Sequence, residues 1–225
     1  MHRILPALSF ALLAACAGTA PSRSDGATPS AAAAPQRSSG TFHITRGADT
    51  IARERFTRTA ARLDADMRVP SVGARLAYVL DVAPDASVTR VDLRAFAPGA
   101  DSTPAQRVVA TMGSDSVTAE ITAGAAAPRT TRAATTRGAV LYINPSPSAV
   151  EQIIRRARVL GGDSVQVPVL AIESLQTGPA TVRFLGADSA TVSLGNVVFR
   201  TQVDRAGALL GGSVPSQNLV ITRTP

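Results

Sequence analysis

Leu76-Ala77-Tyr78-Val79-Leu80-Asp81-Val82 decides the fold class. Leu76, Tyr78, Leu80 and Val82 fall on one side of an extended chain, opposite smaller or polar partners. That two-residue period is the mark of a strand with one buried face, and Pro84-Asp85 closes it. Working outward, Phe42 and Ile44 run into the turn Arg46-Gly47-Ala48-Asp49, and Glu54, Phe56 and Arg58 share one side of a second strand. Similar runs follow at 88–96, 107–112, 117–122, 165–172, 181–185, 190–194, 197–203 and 219–222. Short strands at this spacing leave no room for crossover helices. The pattern predicts a mainly β domain over residues 41–225, an antiparallel meander of about 10–13 strands forming a curved sheet or half-barrel.

The punctuation agrees. Gly-x-Asp-Ser/Thr recurs at Gly47-Ala48-Asp49-Thr50, Gly99-Ala100-Asp101-Ser102, Gly113-Ser114-Asp115-Ser116, Gly161-Gly162-Asp163-Ser164 and Gly186-Ala187-Asp188-Ser189. Glycine tolerates positive φ and Asp or Ser bonds its own nearby backbone, which is the chemistry of a tight reversal. One carboxylate per turn is too few oxygen ligands for calcium. The stretch 123–137, rich in Ala, Thr and Arg, has little to bury and reads as a long exposed loop.

One segment breaks the period. After Asn144-Pro145-Ser146-Pro147-Ser148, residues Val150, Ile153, Ile154, Ala157 and Leu160 share one helical face. Pro147 suits a first turn, Ser148 and Glu151 have capping-box spacing, and Gly161-Gly162 supplies the stop. Glu151 can pair with Arg155 one turn on. The expected helix near 147–160 covers one face of the sheet. With few large aromatics to fill the space beneath it, Val150, Ile153, Ile154 and Ala157 are the candidate lining of an apolar ligand site. A basic helix lying on a membrane is the alternative, but the helix is short and its apolar face carries no Trp or Phe.

The first forty residues read differently. Met1-His2-Arg3 precedes an apolar run at 4–13, too short to cross a bilayer, which needs about 20 residues, and of the length of a signal-peptide core. It ends in Leu13-Ala14-Ala15-Cys16, which resembles the lipobox of bacterial lipoproteins. The resemblance implies a signal peptide at 1–15, diacylglycerol on Cys16 and acylation of the new amino terminus. Several acyl chains together hold a membrane firmly where one does not. Ala17 rather than Asp follows the cysteine. In a host with two membranes that implies the outer one, with the domain facing the periplasm. Residues 16–40, Ala, Ser, Thr, Pro and Gly with few charges, have no hydrophobic period and read as a disordered tether.

Composition narrows the function. Hydrophobic residues make up 45 % of the chain but aromatics only 4 %, so the core rests on Val, Leu and Ile with a few Phe. The formal charge is +7, and all 23 basic residues are Arg. These are scattered along the sequence without an aromatic stacking platform, which argues against a nucleic-acid partner. His43 is the single histidine of the mature chain and Cys16 its single cysteine, so no zinc set can be built. No Gly-x-Ser-x-Gly elbow occurs, and without Lys there is no Ser-x-x-Lys pair. Leu210-Gly211-Gly212-Ser213 lacks the following helix and Lys of a phosphate loop. Glu54, Glu120 and Glu173 lie on or beside strands, with Glu54 expected to pair with a neighbouring Arg. No catalytic residue, metal or cofactor is expected.

A tethered antiparallel β domain with one covering helix resembles, in architecture alone, the half-barrels of periplasmic lipoprotein carriers. No motif matches and no residue is carried over. The resulting expectation is a non-catalytic envelope lipoprotein that binds a lipid or other apolar ligand between sheet and helix. The alternative is an interaction module that scaffolds an envelope complex.

Overall fold

A computed structural model describes residues 37–225 except Asp101; Cys16, the signal segment and nearly all of the expected tether lie outside the described residues. The N-terminal half is a run of hairpins: β1 (Ser38–Arg46), β2 (Asp49–Arg58), β3 (Arg62–Val69), β4 (Ala74–Val82), β5 (Val88–Phe96), β6 (Gln106–Met112), β7 (Ser116–Ala123) and β8 (Arg129–Ala134). After β9 (Val140–Tyr142) comes α1 (Pro147–Leu160). The rest is β10 (Ser164–Ala171), β11 (Gln176–Phe184), β12 (Ser189–Leu194), β13 (Val197–Val203), β14 (Leu209–Val214) and β15 (Leu219–Thr224).

All fifteen described strands form one sheet in the order β8-β7-β6-β5-β4-β3-β2-β1-β15-β14-β13-β12-β11-β10-β9. The first and last strands meet in the middle, with Ile44 opposite Ile221. The ladder is antiparallel throughout except between β9 and β10, which run parallel. The sheet curls until the β8 end approaches β11, where the Thr135 and Thr177 hydroxyls lie 2.9 Å apart. No ladder joins that seam, so the sheet is barrel-like but open.

Three expectations are corrected. The strands exceed the expected number partly because β8 occupies the stretch read as a loop; it is an edge strand of Arg, Thr and Ala with no buried residue, so it leaves no apolar period. The chain does contain a crossover: α1 carries it from β9 to the parallel β10. The domain also starts earlier than residue 41, because Ser38, Ser39 and Gly40 already pair with Arg58, Thr57 and Phe56. A linker-like composition does not prevent ladder pairing, and Gly40 suits the place: a Cβ there would lie 2.8 Å from the Thr224 carbonyl oxygen.

The five Gly-Asp reversals all fall at connections between elements, four of them with a glycine at positive φ. At the start of α1 the N-cap is Ser146, not Ser148; its hydroxyl accepts the Ala149 N–H at 3.1 Å. Gly161 ends the helix as expected, its N–H donating to the Ala157 carbonyl at 3.0 Å.

The core is one continuous cluster on the concave side. Phe42 stacks on Phe56 with ring centroids 5.0 Å apart, beside Ile44, Leu63, Met67 and Leu80. Helix α1 lies within the curl and touches β2, β9, β10, β11, β12 and β14. Ten of its fourteen residues are buried, more than the single apolar stripe of a surface helix would place there.

Candidate functional site

Burying so much of α1 brings polar side chains inside, and they are satisfied in two clusters. Glu54 on β2 is fully buried; it accepts the Tyr78 hydroxyl at 2.7 Å, the Ser146 hydroxyl at 2.6 Å and the Ser148 N–H at 2.9 Å. The carboxylate therefore sits at the N-terminus of α1, where backbone N–H groups lack intrahelical partners. Burial raises the Glu54 pKa against the lowering effect of these hydrogen bonds, and burial together with Glu54 pushes the Tyr78 hydroxyl well above its ordinary value. Glu54 thus differs from expectation: its partners are hydroxyls and a helix end, while Arg58, four residues on along the same face, takes the ion pair.

Arg58 Nε lies 2.9 Å from Glu151 Oε1, and its two terminal nitrogens donate to Gln152 Oε1 and the Ser148 carbonyl. Glu151 also accepts Arg155 Nε at 2.8 Å, as its i,i+4 spacing predicted, and the Leu209 N–H at 3.0 Å. Burial lowers the Arg58 pKa, opposed by the Glu151 carboxylate. The two clusters pin α1 to β2, β4 and β14. They fix position; neither carboxylate is open to a substrate.

The residues predicted to line a ligand site, Val150, Ile153, Ile154 and Ala157, do come together on the sheet side of α1. There they are packed against the core, each no more than 1 % exposed. His43 is half-buried on β1, with its side chain on the convex face beside Arg53 and Thr222. Glu120 lies on the convex face of β7, opposite Val109 and Thr130. Among the described residues no His, Cys, Asp and Glu cluster could hold a metal ion.

A concavity that sequence reading missed lies on the convex face, over β12–β15. It is a trough of about 990 Å³. Gln202, Gly211 and Thr222 stand side by side in register across three strands, and Gly211 contributes no side chain, so the floor dips there. Gly212, next to it, is held against β13: a Cβ would collide with the Arg200 carbonyl oxygen. Large apolar side chains stand round the dip, with Leu185, Leu210 and Val220 being 58 %, 49 % and 46 % exposed. Arg200 supplies a cation at the same trough. The one sequence signal was Leu210-Gly211-Gly212-Ser213, a run that leaves a strand without side chains at its middle.

No protein-family model matches the sequence, and no curated protein matches it. Solved structures share the fold. A DUF1089-family protein from Pseudomonas aeruginosa has a TM-score of 0.52 at 15 % identity, over 72 % of this chain and 89 % of that one. A β-barrel-like protein of domain of unknown function DUF1849 from Brucella abortus has a TM-score of 0.51 at 10 % identity, over 84 % of this chain and 94 % of that one. At these identities the likeness concerns the large curved sheet alone.

Proposed function

We propose that the chain is a lipid-anchored envelope protein whose β domain binds an apolar ligand and performs no catalysis. The anchor rests on Leu13-Ala14-Ala15-Cys16. The observation that carries ligand binding is the trough over β12–β15, where the exposed Leu185, Leu210 and Val220 stand round a floor that dips at Gly211 between Gln202 and Thr222. Its size falls at the upper end of ligand sites, about 300–1,000 Å³. Elsewhere the convex face is largely Arg, Asp and Thr, so an apolar patch here is not explained by solubility. An acyl chain fits the apolar rim, at about 0.8 kcal/mol per buried methylene, and its carboxylate would meet Arg200. Binding beneath α1 would require Ile153 and Ile154 to leave a packed core, so the trough takes the ligand without unfolding the domain.

The test is titration of a fluorescent fatty-acid analogue into the full chain carrying Cys16→Ser. Leu210→Arg and Val220→Arg should each weaken binding at least tenfold at an unchanged melting temperature. If Ile154→Trp weakens binding and the trough variants do not, the ligand lies between sheet and helix. If no analogue binds, the scaffolding reading replaces this one. The anchor has its own check: mass spectrometry of the wild-type mature protein should show an N-terminal Cys16 carrying acyl groups.

A further inference from the structure

A second cavity, of about 270 Å³, lies where the β2–β3, β4–β5 and β13–β14 turns meet the C-terminal half of α1. Arg58, Arg155 and Arg158 line it together with Gln152, and no carboxylate does. Much of the remaining wall is short and apolar, Ala60 and Ala206 among it.

The partners of these arginines can be counted. Arg58 and Arg155 share one carboxylate, Glu151, at 2.9 and 2.8 Å, while its other oxygen accepts the Leu209 N–H. Arg223 stands 4.0 Å from that second oxygen. Among the described residues no carboxylate lies within ion-pair distance of Arg158. Its Nη2 donates to the Ala187 carbonyl at 3.3 Å, and its guanidinium lies 3.8 Å over the Phe184 ring. Asp85, in the adjoining turn, is engaged by Arg156 and Ser87. Three guanidiniums therefore face one cavity with a single carboxylate behind them. Burial lowers the Arg58 pKa, Glu151 opposes this, and the neighbouring Arg155 charge adds to it.

Donors remain to be satisfied as well. Arg155 bonds through Nε, which leaves both of its terminal amino groups for a ligand. The Arg158 Nε is buried without an acceptor. Gln152, fully buried, is fixed by Arg58 on one side and by the Ala86 carbonyl, 2.7 Å away, on the other. The β13–β14 turn braces the two exposed stems. Gly207 there has φ 80°, and a Cβ on it would lie 3.4 Å from Arg158 Cγ and 3.5 Å from Arg155 Cα. The arginines are thus held in place before any ligand arrives, which lowers the ordering cost of binding.

We infer that this cavity binds a phosphate group, its oxygens held by Arg155 and Arg158 above the buried Arg58. Guanidinium forks match phosphate oxygens in geometry and charge. A phosphate monoester carries about 1.5 to 2 negative charges at neutral pH, which meets the excess of positive charge more fully than a carboxylate does. The volume falls just under the usual range of ligand sites, about 300–1,000 Å³, and leaves room for the phosphate and a short organic stem. Soluble esters and phospholipid headgroups both present such a group. The inference is independent of the trough and of the acyl anchor.

The experiment titrates glycerol 3-phosphate into the full chain carrying Cys16→Ser, by calorimetry, and sediments the same protein with phosphatidylglycerol vesicles. The ester should bind and raise the melting temperature, as any ligand of the folded state does; acetate at equal concentration should do neither. Arg155→Ala and Arg158→Ala should each weaken binding about tenfold or more, the loss of a charge-assisted hydrogen bond. Ala60→Glu keeps every arginine and puts a carboxylate in the cavity wall. It should abolish binding without lowering the melting temperature, because it supplies a missing counter-charge. Binding to vesicles alone, lost in the same three variants, would sustain the inference and assign the phosphate to a lipid headgroup. No binding of ester or vesicles, binding that survives all three variants, or equal binding of acetate would overturn it.

Discussion

Replacing Glu151 by Ala tests whether the buried ion pair holds α1 in the curl. Glu151 is 1 % exposed and receives Arg58, Arg155 and the Leu209 N–H. Without it Arg58, only 4 % exposed, keeps hydrogen bonds to Gln152 and Ser148 but loses its counter-charge. Breaking a buried pair from one side costs about 3–5 kcal/mol. The orphaned Leu209 N–H adds about 1–3 kcal/mol, so most of the stability of a domain with about 5–15 kcal/mol to lose would go. Glu151→Gln can still accept from Leu209 and should lose less. Arg155→Ala removes only a partly exposed i,i+4 partner, for about 0.3–0.5 kcal/mol. Replacing Arg58 by Met and Glu151 by Leu together should recover much of the single-variant loss. Urea unfolding followed by far-ultraviolet circular dichroism reads all four variants. The argument fails if Glu151→Ala and Arg155→Ala lose the same small amount, or if the double variant is no better than Glu151→Ala.

Glu54→Gln removes a carboxyl whose folded pKa is raised above 4.5. The folded state then holds that proton more tightly than the unfolded chain, so its contribution is full below pH 4.5 and fades as pH rises through the folded value. Melting temperatures across this range should fall less for the variant than for wild type; parallel curves would count against it. Ile153→Asp buries a carboxyl at a position with no exposure, where it takes up a proton and still lacks a hydrogen-bond partner, and should cost about 2–7 kcal/mol, whereas Val159→Asp, on the exposed side of the helix, should stay within about 0.5 kcal/mol. Equal melts for the two would mean the apolar stripe is not in the core. Gly212→Ala must push β13 and β14 apart at the Arg200 carbonyl and should cost about 1–3 kcal/mol by chemical denaturation.

The strand period at 76–82 and the helical positions Val150, Ile153, Ile154 and Ala157 face the core as their spacing predicts, whereas Leu160, expected on the same face, is 44 % exposed at the end of the helix. What the chain hid were elements whose apolar period is weak or interrupted. In β3 Leu63, Ala65 and Met67 alternate with charges, but the small Ala65 mutes the signal. In β14 Gly211 and Gly212 erase it. The candidate site was legible only in its parts. Ile153 and Ile154 were read as a face with space beneath it, and the curl of the sheet, a long-range property, fills that space. The trough depends on register between strands, which a residue list does not carry.

The pairing of β1 with β15 has a consequence for how the domain comes into being. The first described strand to leave the ribosome finds one of its two neighbours only when the last has been made. Until then the hairpins β1–β8 can form locally, yet the strand at their leading edge offers a bare row of N–H and C=O groups to any other chain. Closing so long a loop is slow, and a half-built sheet is prone to aggregate. Truncating the final six residues of strand should therefore do more than shorten the protein: it should leave a sticky fragment that depends on chaperones, even though most of its hairpins are complete.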